Sequence, residues 1–120
     1  MKKLFTILAL TVTFIASAQL NSTAQIVKDR LPIEYKLIKK FAEDKWGQDF
    51  EMIVYTINEH ADAMREFANI TNAEGTDLRL MRDAYKKWTD NSIIIEGKPF
   101  VDYPMVVYTY KKQLEAKNQY

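Results

Sequence analysis

Apolar residues recur at helical spacing in several stretches of this chain. The clearest run is Phe50, Ile53, Ile57, His60, Met64 and Phe67, which steps by three or four residues and marks one face of a helix. Val54, Ala61 and Ala68 widen that stripe on one side. Glu51, Glu59, Asp62, Arg65 and Glu66 take the remaining surface. The helix is expected to end near Ile70, where Thr71-Asn72-Ala73-Glu74-Gly75 reads as a loop. Upstream, Ile33, Leu37, Ile38 and Phe41 mark a shorter face that begins at Pro32, a residue suited to the first helical position. Gly47 suits a helix end and Asp49 the next cap, so a break is favoured over one bent helix through Trp46 and Phe50. Downstream, Thr76 or Asp77 caps a third helix. Leu78, Met81, Tyr85 and Trp88 face inward on it and Arg79, Arg82, Lys86 and Lys87 outward, with Asp90-Asn91 at its end. Pro104 opens the last helix, in which Val107, Tyr110 and Leu114 mark the buried face. Lys111, Lys112 and Lys117 near its C-terminus complement the helix dipole.

Two stretches depart from this rhythm. Ile93-Ile94-Ile95 is β-branched and favours extended backbone. Glu96-Gly97-Lys98-Pro99 reads as a turn, after which Phe100 and Val101 return antiparallel. A small hairpin and an extended loop closing the end of a bundle fit these residues equally well. Residues 19–30 are polar without a clear period and read as a flexible lead-in, with a first turn near Ile26 and Val27. The expected fold is therefore mainly α. It is a small four-helix bundle-like domain over residues 31–120, with a short extended or hairpin segment before the last helix. The short connections favour antiparallel neighbours.

The first eighteen residues follow a different logic. Lys2 and Lys3 precede the apolar run Leu4–Ala16, and Ala16-Ser17-Ala18 follows it. These are the three parts of a cleavable signal peptide, with the cut before Gln19. The apolar run is about 13 residues, against the roughly 20 that span a bilayer, so no stable membrane insertion is expected after cleavage. There is no cysteine, hence no site for a lipoprotein anchor. The expected address is the periplasm or the cell exterior. Lys45-Trp46-Gly47-Gln48-Asp49-Phe50-Glu51-Met52-Ile53-Val54-Tyr55, together with Asp102-Tyr103-Pro104-Met105-Val106-Val107-Tyr108, resembles short exported proteins of the Bacteroidota type. That resemblance implies an exported address and carries no activity with it.

Charge and composition narrow the chemistry. Of 17 basic residues, two lie in the leader, which leaves 15 against 16 acidic residues and a net charge of −1. A nucleic-acid partner calls for a basic excess, and none exists. The absence of cysteine removes thiol catalysis, iron–sulfur clusters and cysteine zinc sites. Three glycines and three prolines are few for an all-β chain with many turns.

No motif points to a reaction. His60 is the only histidine. A di-iron bundle needs Glu-x-x-His twice, whereas Ile57 stands three residues before His60, and H-E-x-x-H is impossible without a second histidine. His60 is read as a polar residue within the apolar seam. Ser22 and Ser92 lie outside any G-x-S-x-G. Gly47, Gly75 and Gly97 are too far apart to cradle phosphate. Glu59, Asp62 and Glu66 share a helix face, which a solvated surface explains better than a carboxylate hydrolase. The sequons at Asn21 and Asn69 are taken as chance matches. No catalytic, cofactor-binding or metal-binding residue is assigned.

Aromatic residues lean toward recognition. Met52 and Tyr55 lie off the seam of the second helix. Tyr108 and Tyr110 point about 200° apart on the last helix, so one face cannot bury both. Met52, Tyr55, Tyr108 and Tyr110 are the candidate partner-binding residues. The favoured function is a non-enzymatic interaction module for another envelope or extracellular protein, with homo-oligomers possible. The alternative is a carrier of an apolar molecule in a pocket lined by Met64, Met81, Phe67 and Trp88.

Overall fold

Helices begin in this protein where a side chain can accept the free backbone amides of a first turn. The computed structural model describes residues 19–120; the expected leader and its cut site, residues 1–18, lie outside them. The elements are α1 (Ser22–Arg30), α2 (Pro32–Trp46), α3 (Phe50–Thr71), α4 (Leu78–Lys87), β1 (Thr89–Ile95), β2 (Lys98–Val101) and α5 (Tyr103–Gln119). Asn21 accepts from the Ala24 amide at 2.8 Å, Asp49 from Met52 at 3.2 Å, Asp77 from Leu80 at 3.1 Å and Asp102 from Met105 at 3.3 Å. Helix α2 has no such cap and starts on Pro32, whose missing N–H needs none. Gly47 ends α2 at φ 61°, a left-handed backbone that glycine adopts without steric cost. The expected break between the two helices is there.

The mainly α architecture with a hairpin before the last helix is present. The lead-in is not a flexible segment. Residues 22–30 form α1, which makes five helices among the described residues where four were expected. Only Ala24 and Val27 of α1 are buried, too few to leave a visible period in the sequence. Tertiary hydrogen bonds anchor it instead. The Asn21 amide donates to Asn58 Oδ1 at 2.9 Å, Asn21 Nδ2 donates to Asp62, and Asn58 Nδ2 donates to the Gln19 carbonyl at 3.2 Å. Leu31 separates α1 from α2 with φ −127° and ψ 65°, as expected of a residue held out of helical geometry by the proline after it.

The strands β1 and β2 pair antiparallel around Glu96-Gly97. Both turn residues have positive φ, 49° and 80°, the geometry that matches a two-residue turn to strand twist. The turn is thus tighter than the four residues expected, and Lys98 and Pro99 belong to β2. Pairing jumps from Asp90–Phe100 to Ile94–Pro99, leaving Asn91, Ser92 and Ile93 bulged. Asp90 Oδ1 holds the bulge by accepting from the Ser92 amide at 2.9 Å and its hydroxyl at 2.6 Å.

The core falls into two clusters joined along α3. One collects Ala24, Val27, Ile38, Ala42, Ile53 and Ile57 from α1, α2 and α3. The other gathers Met81, Ala84, Val101, Val106 and Tyr110 from α4, β2 and α5, with Phe67 and Ile70 of α3 packed against it. Phe50 and Leu78, expected in the apolar faces, are 71% and 63% exposed. Each is the first residue of its helix, where the stripe runs past the elements that would cover it. Helices α4 and α5 lie antiparallel, with Trp88 Nε1 donating to Thr109 Oγ1 at 2.7 Å. At the other end, the Asp77 amide donates to Tyr110 Oη at 3.2 Å and Lys117 pairs with Asp77 at 2.7 Å. Tyr110→Phe is expected to lower stability by about 0.5–1.5 kcal/mol, the net worth of one such bond. Urea unfolding reads it, and an unchanged midpoint would mean that the bond contributes nothing.

Candidate functional site

The polar seam residue lies at the meeting point of α2, α3, β2 and α5. Helix α3 carries Met52, Thr56 and His60 at four-residue spacing, so all three share a face. Helix α2 brings Phe41 and Lys45, also four apart, and Trp46 beside them. The start of α5 adds Asp102, Pro104 and Met105. Together with Tyr55 and Glu59, these residues line a cavity of about 220 Å³. The His60 ring is 3% exposed. It lies 5.1 Å from Phe41 and 5.7 Å from Phe100 between ring centroids, and those two phenylalanines stack on each other at 4.6 Å. Trp46 is held by its indole N–H, which donates to Thr56 Oγ1 at 2.8 Å. The Lys45 ammonium lies 5.8 Å above the Phe41 ring and 5.3 Å above the Trp46 ring.

Burial sets the charge state of this site. Removal from water pushes the His60 imidazole down to about 4, and the nearby Lys45 charge pushes the same way. His60 is therefore neutral at pH 7. Its Nδ1 is buried with no hydrogen-bond partner. Asp102 is raised above the ordinary aspartate value, chiefly by burial, although its bond from the Met105 amide and the Lys45 charge oppose the shift.

A second groove runs along the outer side of α3. Tyr55, Asn58, Glu59, Asp62 and Glu66 line it from α3, and Pro104 from α5. Tyr108 and Lys111 follow Pro104 by four and seven residues and so occupy the same flank of α5. Lys111 bridges to Glu66. Tyr55 and Tyr108 are 59% and 56% exposed. The chain matches no known protein family, curated protein or solved structure. Its site is therefore read from its own residues.

Of the four candidate recognition residues, Tyr55 and Tyr108 face solvent and Met52 is half-buried at the His60 cavity. Tyr110 does not belong with them. It is buried at 5% exposure, because it packs with Val106 against Met81 and Ala84 of α4 and Val101 of β2. The geometric conflict between Tyr108 and Tyr110 is thus resolved with one outside and one inside.

The carrier pocket expected from Met64, Met81, Phe67 and Trp88 does not assemble. Met81 is in the core at 2% exposure, and Trp88 is engaged with Thr109. Met64 and Phe67 instead line an apolar groove of about 630 Å³ between α1 and α3, with Ile26, Leu31 and Tyr103. Its existence depends on α1, the helix that the sequence pattern does not disclose. Among the three acids of the outer face, Asp62 accepts from Asn21 and Glu66 is paired with Lys111. Among the described residues, no helix is long and apolar enough to cross a membrane. No cluster of three or more histidine, aspartate or glutamate side chains among them could hold a metal ion.

Proposed function

We propose that this chain is an exported interaction domain that presents the outer face of α3 and α5 to another envelope or extracellular protein. The observation that carries the reading is the pair of exposed tyrosines, Tyr55 and Tyr108, set on the two helices that flank one groove. Tyrosine offers a large contact area with few rotatable bonds and is enriched where proteins meet. The leader pattern at residues 1–18 supports export, with the mature chain starting at Gln19.

The test is affinity capture from the envelope fraction of an exporting bacterial host, read by native mass spectrometry. A protein partner, or a second copy of the chain, is expected on the wild type and lost by about tenfold or more in the Tyr55→Ala/Tyr108→Ala double variant. Both positions are exposed, so the variant keeps its fold. Equal retention by both proteins would remove the docking face. An uncleaved chain in that fraction would remove the export reading. The groove between α1 and α3 favours a second reading, a carrier of an apolar molecule, whose mark in the same spectrum is a stoichiometric small added mass.

A further inference from the structure

We infer that the groove between α1 and α3 holds a single-chain anionic amphiphile, a medium-chain fatty acid in chemical class, with Arg65 at its carboxylate. The inference rests on the carrier reading of that groove and names its cargo. The groove is an open cleft of about 630 Å³, within the roughly 300–1,000 Å³ of ordinary ligand sites. Val27 and Ala61 form its floor, at 5% and 0% exposure. Ile26 and Leu31 line it from the α1 side and leave 53% and 41% of their surface in water. Phe67 of α3 meets Tyr103 of α5 edge to face at 5.3 Å, and the two rings make an aromatic wall of the cleft. An alkyl chain laid in the cleft takes this apolar surface out of water, which is favourable in proportion to the area covered. Helix α1 has nine residues and is about 13 Å long at 1.5 Å each, which suits a chain of about eight to ten carbons.

Charge then selects the head group. Among the described residues that line the cleft, Arg65 alone is charged. It is exposed, so a ligand reaches it directly from solvent. The acids beside it on α3 are engaged elsewhere. Asp62 accepts from Asn21 Nδ2 at 3.2 Å, and Glu66 pairs with Lys111. Arg65 itself forms no ion pair among the described residues. Its place in the cleft follows from the backbone. Asn21, at the start of α1, bonds to Asn58 and Asp62. Arg65 follows Asp62 by three residues, and a helical side chain leans toward the preceding turn, which sets the guanidinium near the Ser22 end. Phe67 lies farther along α3. A carboxylate held at Arg65 therefore leaves its tail on Met64, Phe67 and Leu31. The planar guanidinium matches a carboxylate through two parallel N–H bonds. An ammonium head meets like charge there, and a neutral head gains no ionic contact.

The experiment uses the mature protein at neutral pH, with binding followed by NMR on the methyl protons of Ile26, Leu31 and Met64. The probes are octanoate, 1-octanol and octylammonium, which share a tail and differ in the head. Saturable binding of octanoate in the millimolar range or tighter is expected, with those methyl signals shifting together. Octylammonium is expected to bind more weakly than octanoate by about threefold or more, the scale of one ionic contact at a water-exposed rim. Arg65→Gln is expected to weaken octanoate by a similar factor and to leave 1-octanol unchanged. Ala68→Trp fills the cleft from an exposed position and is expected to abolish binding of both. Each substitution is at the surface, so the helical circular dichroism should not change. Saturation by none of the three probes would overturn the proposal and the carrier reading with it. Equal affinity for octanoate and octylammonium, or octanoate binding indifferent to Arg65→Gln, would overturn the choice of an acid and leave a carrier of apolar molecules. Full octanoate binding by Ala68→Trp would overturn the site.

Discussion

Replacing Phe100 by alanine is expected to lower the unfolding free energy by about 3–5 kcal/mol, the usual cost of deleting a buried phenylalanine ring. Phe100 is 2% exposed and stacks on Phe41 of α2 at 4.6 Å, with His60 of α3 at 5.7 Å. With Val101, which packs against α4 and α5, it is one of two buried β2 side chains that tie the hairpin to the helices. A two-stranded hairpin by itself is marginal in water, so β1 and β2 depend on these anchors, of which Phe100 is the larger. The loss is a large share of the roughly 5–15 kcal/mol that holds a domain together. Urea unfolding followed by tryptophan fluorescence measures the total. Amide hydrogen exchange along β1 and β2 measures the local part, and both strands should exchange faster than α3 in the variant. A change below about 1 kcal/mol would be typical of an ordinary substitution and would show that the hairpin is held elsewhere.

Acidification should weaken the same region through His60. Its imidazole titrates at about 4 in the folded protein against 6.5 for the ordinary group. The unfolded chain therefore takes up the proton first as pH falls. Stability is fully present above pH 6.5, declines between 6.5 and 4, and has no further histidine contribution below that. The total is on the order of 3 kcal/mol, from about 1.4 kcal/mol for each unit of displacement. Burial is the main cause and the Lys45 charge the second. Glu34 and Asp77 are held below the ordinary carboxylate values, first by their hydrogen bonds from Lys98 and Lys117, and Asp90 by Ser92. Their stabilisation is lost at lower pH, once carboxylates begin to protonate. Asp102, raised by burial, acts in the opposite sense and gains stability as pH falls through its folded value. The comparison with His60→Phe isolates the histidine, since that variant has no imidazole to charge. Urea midpoints for both proteins at pH 7, 5.5 and 4 decide the matter. Parallel slopes would mean that His60 is already charged, or already solvated, in the folded state.

Much of this arrangement is legible in the chain because it is local. Asp49, Asp77 and Asp102 cap their helices within three residues of themselves, and Gly47 and Pro32 act on their own backbone. The stripe on α3 places Ile53, Ile57 and His60 inside because helical periodicity depends only on spacing. The hairpin was as readable as a loop, because Ile93–Ile95 shows only a preference for extended backbone. Phe100 docking on Phe41 decides it. Helix α1 is not legible in the sequence for a similar reason. Its apolar face amounts to Ala24 and Val27, and its start is secured by Asn58 and Asp62, nearly forty residues away.

The candidate site divides along the same line. Tyr55, lying off the apolar seam, was recognisable as an outward residue from spacing alone. Tyr108 and Tyr110 were recognisable as incompatible, but their order was not, since either flank of α5 could have met α4. His60 was visible as a polar residue in an apolar seam. That it stands over a cavity with Phe41, Trp46 and Asp102 was not visible.

By itself, then, the sequence determined the α3 stripe, the cap at Asp49, the break at Gly47 and the lack of any reactive motif. Each follows from interactions that span a few residues. Tertiary structure alone decided that α1 forms, that Phe100 closes the hairpin onto α2, that Tyr110 turns inward while Tyr108 stays out, and that His60 is desolvated enough to remain neutral. Those outcomes depend on contacts between residues far apart in the chain. The free energy of such contacts comes from the water excluded when elements meet, and no local pattern encodes which elements will do so.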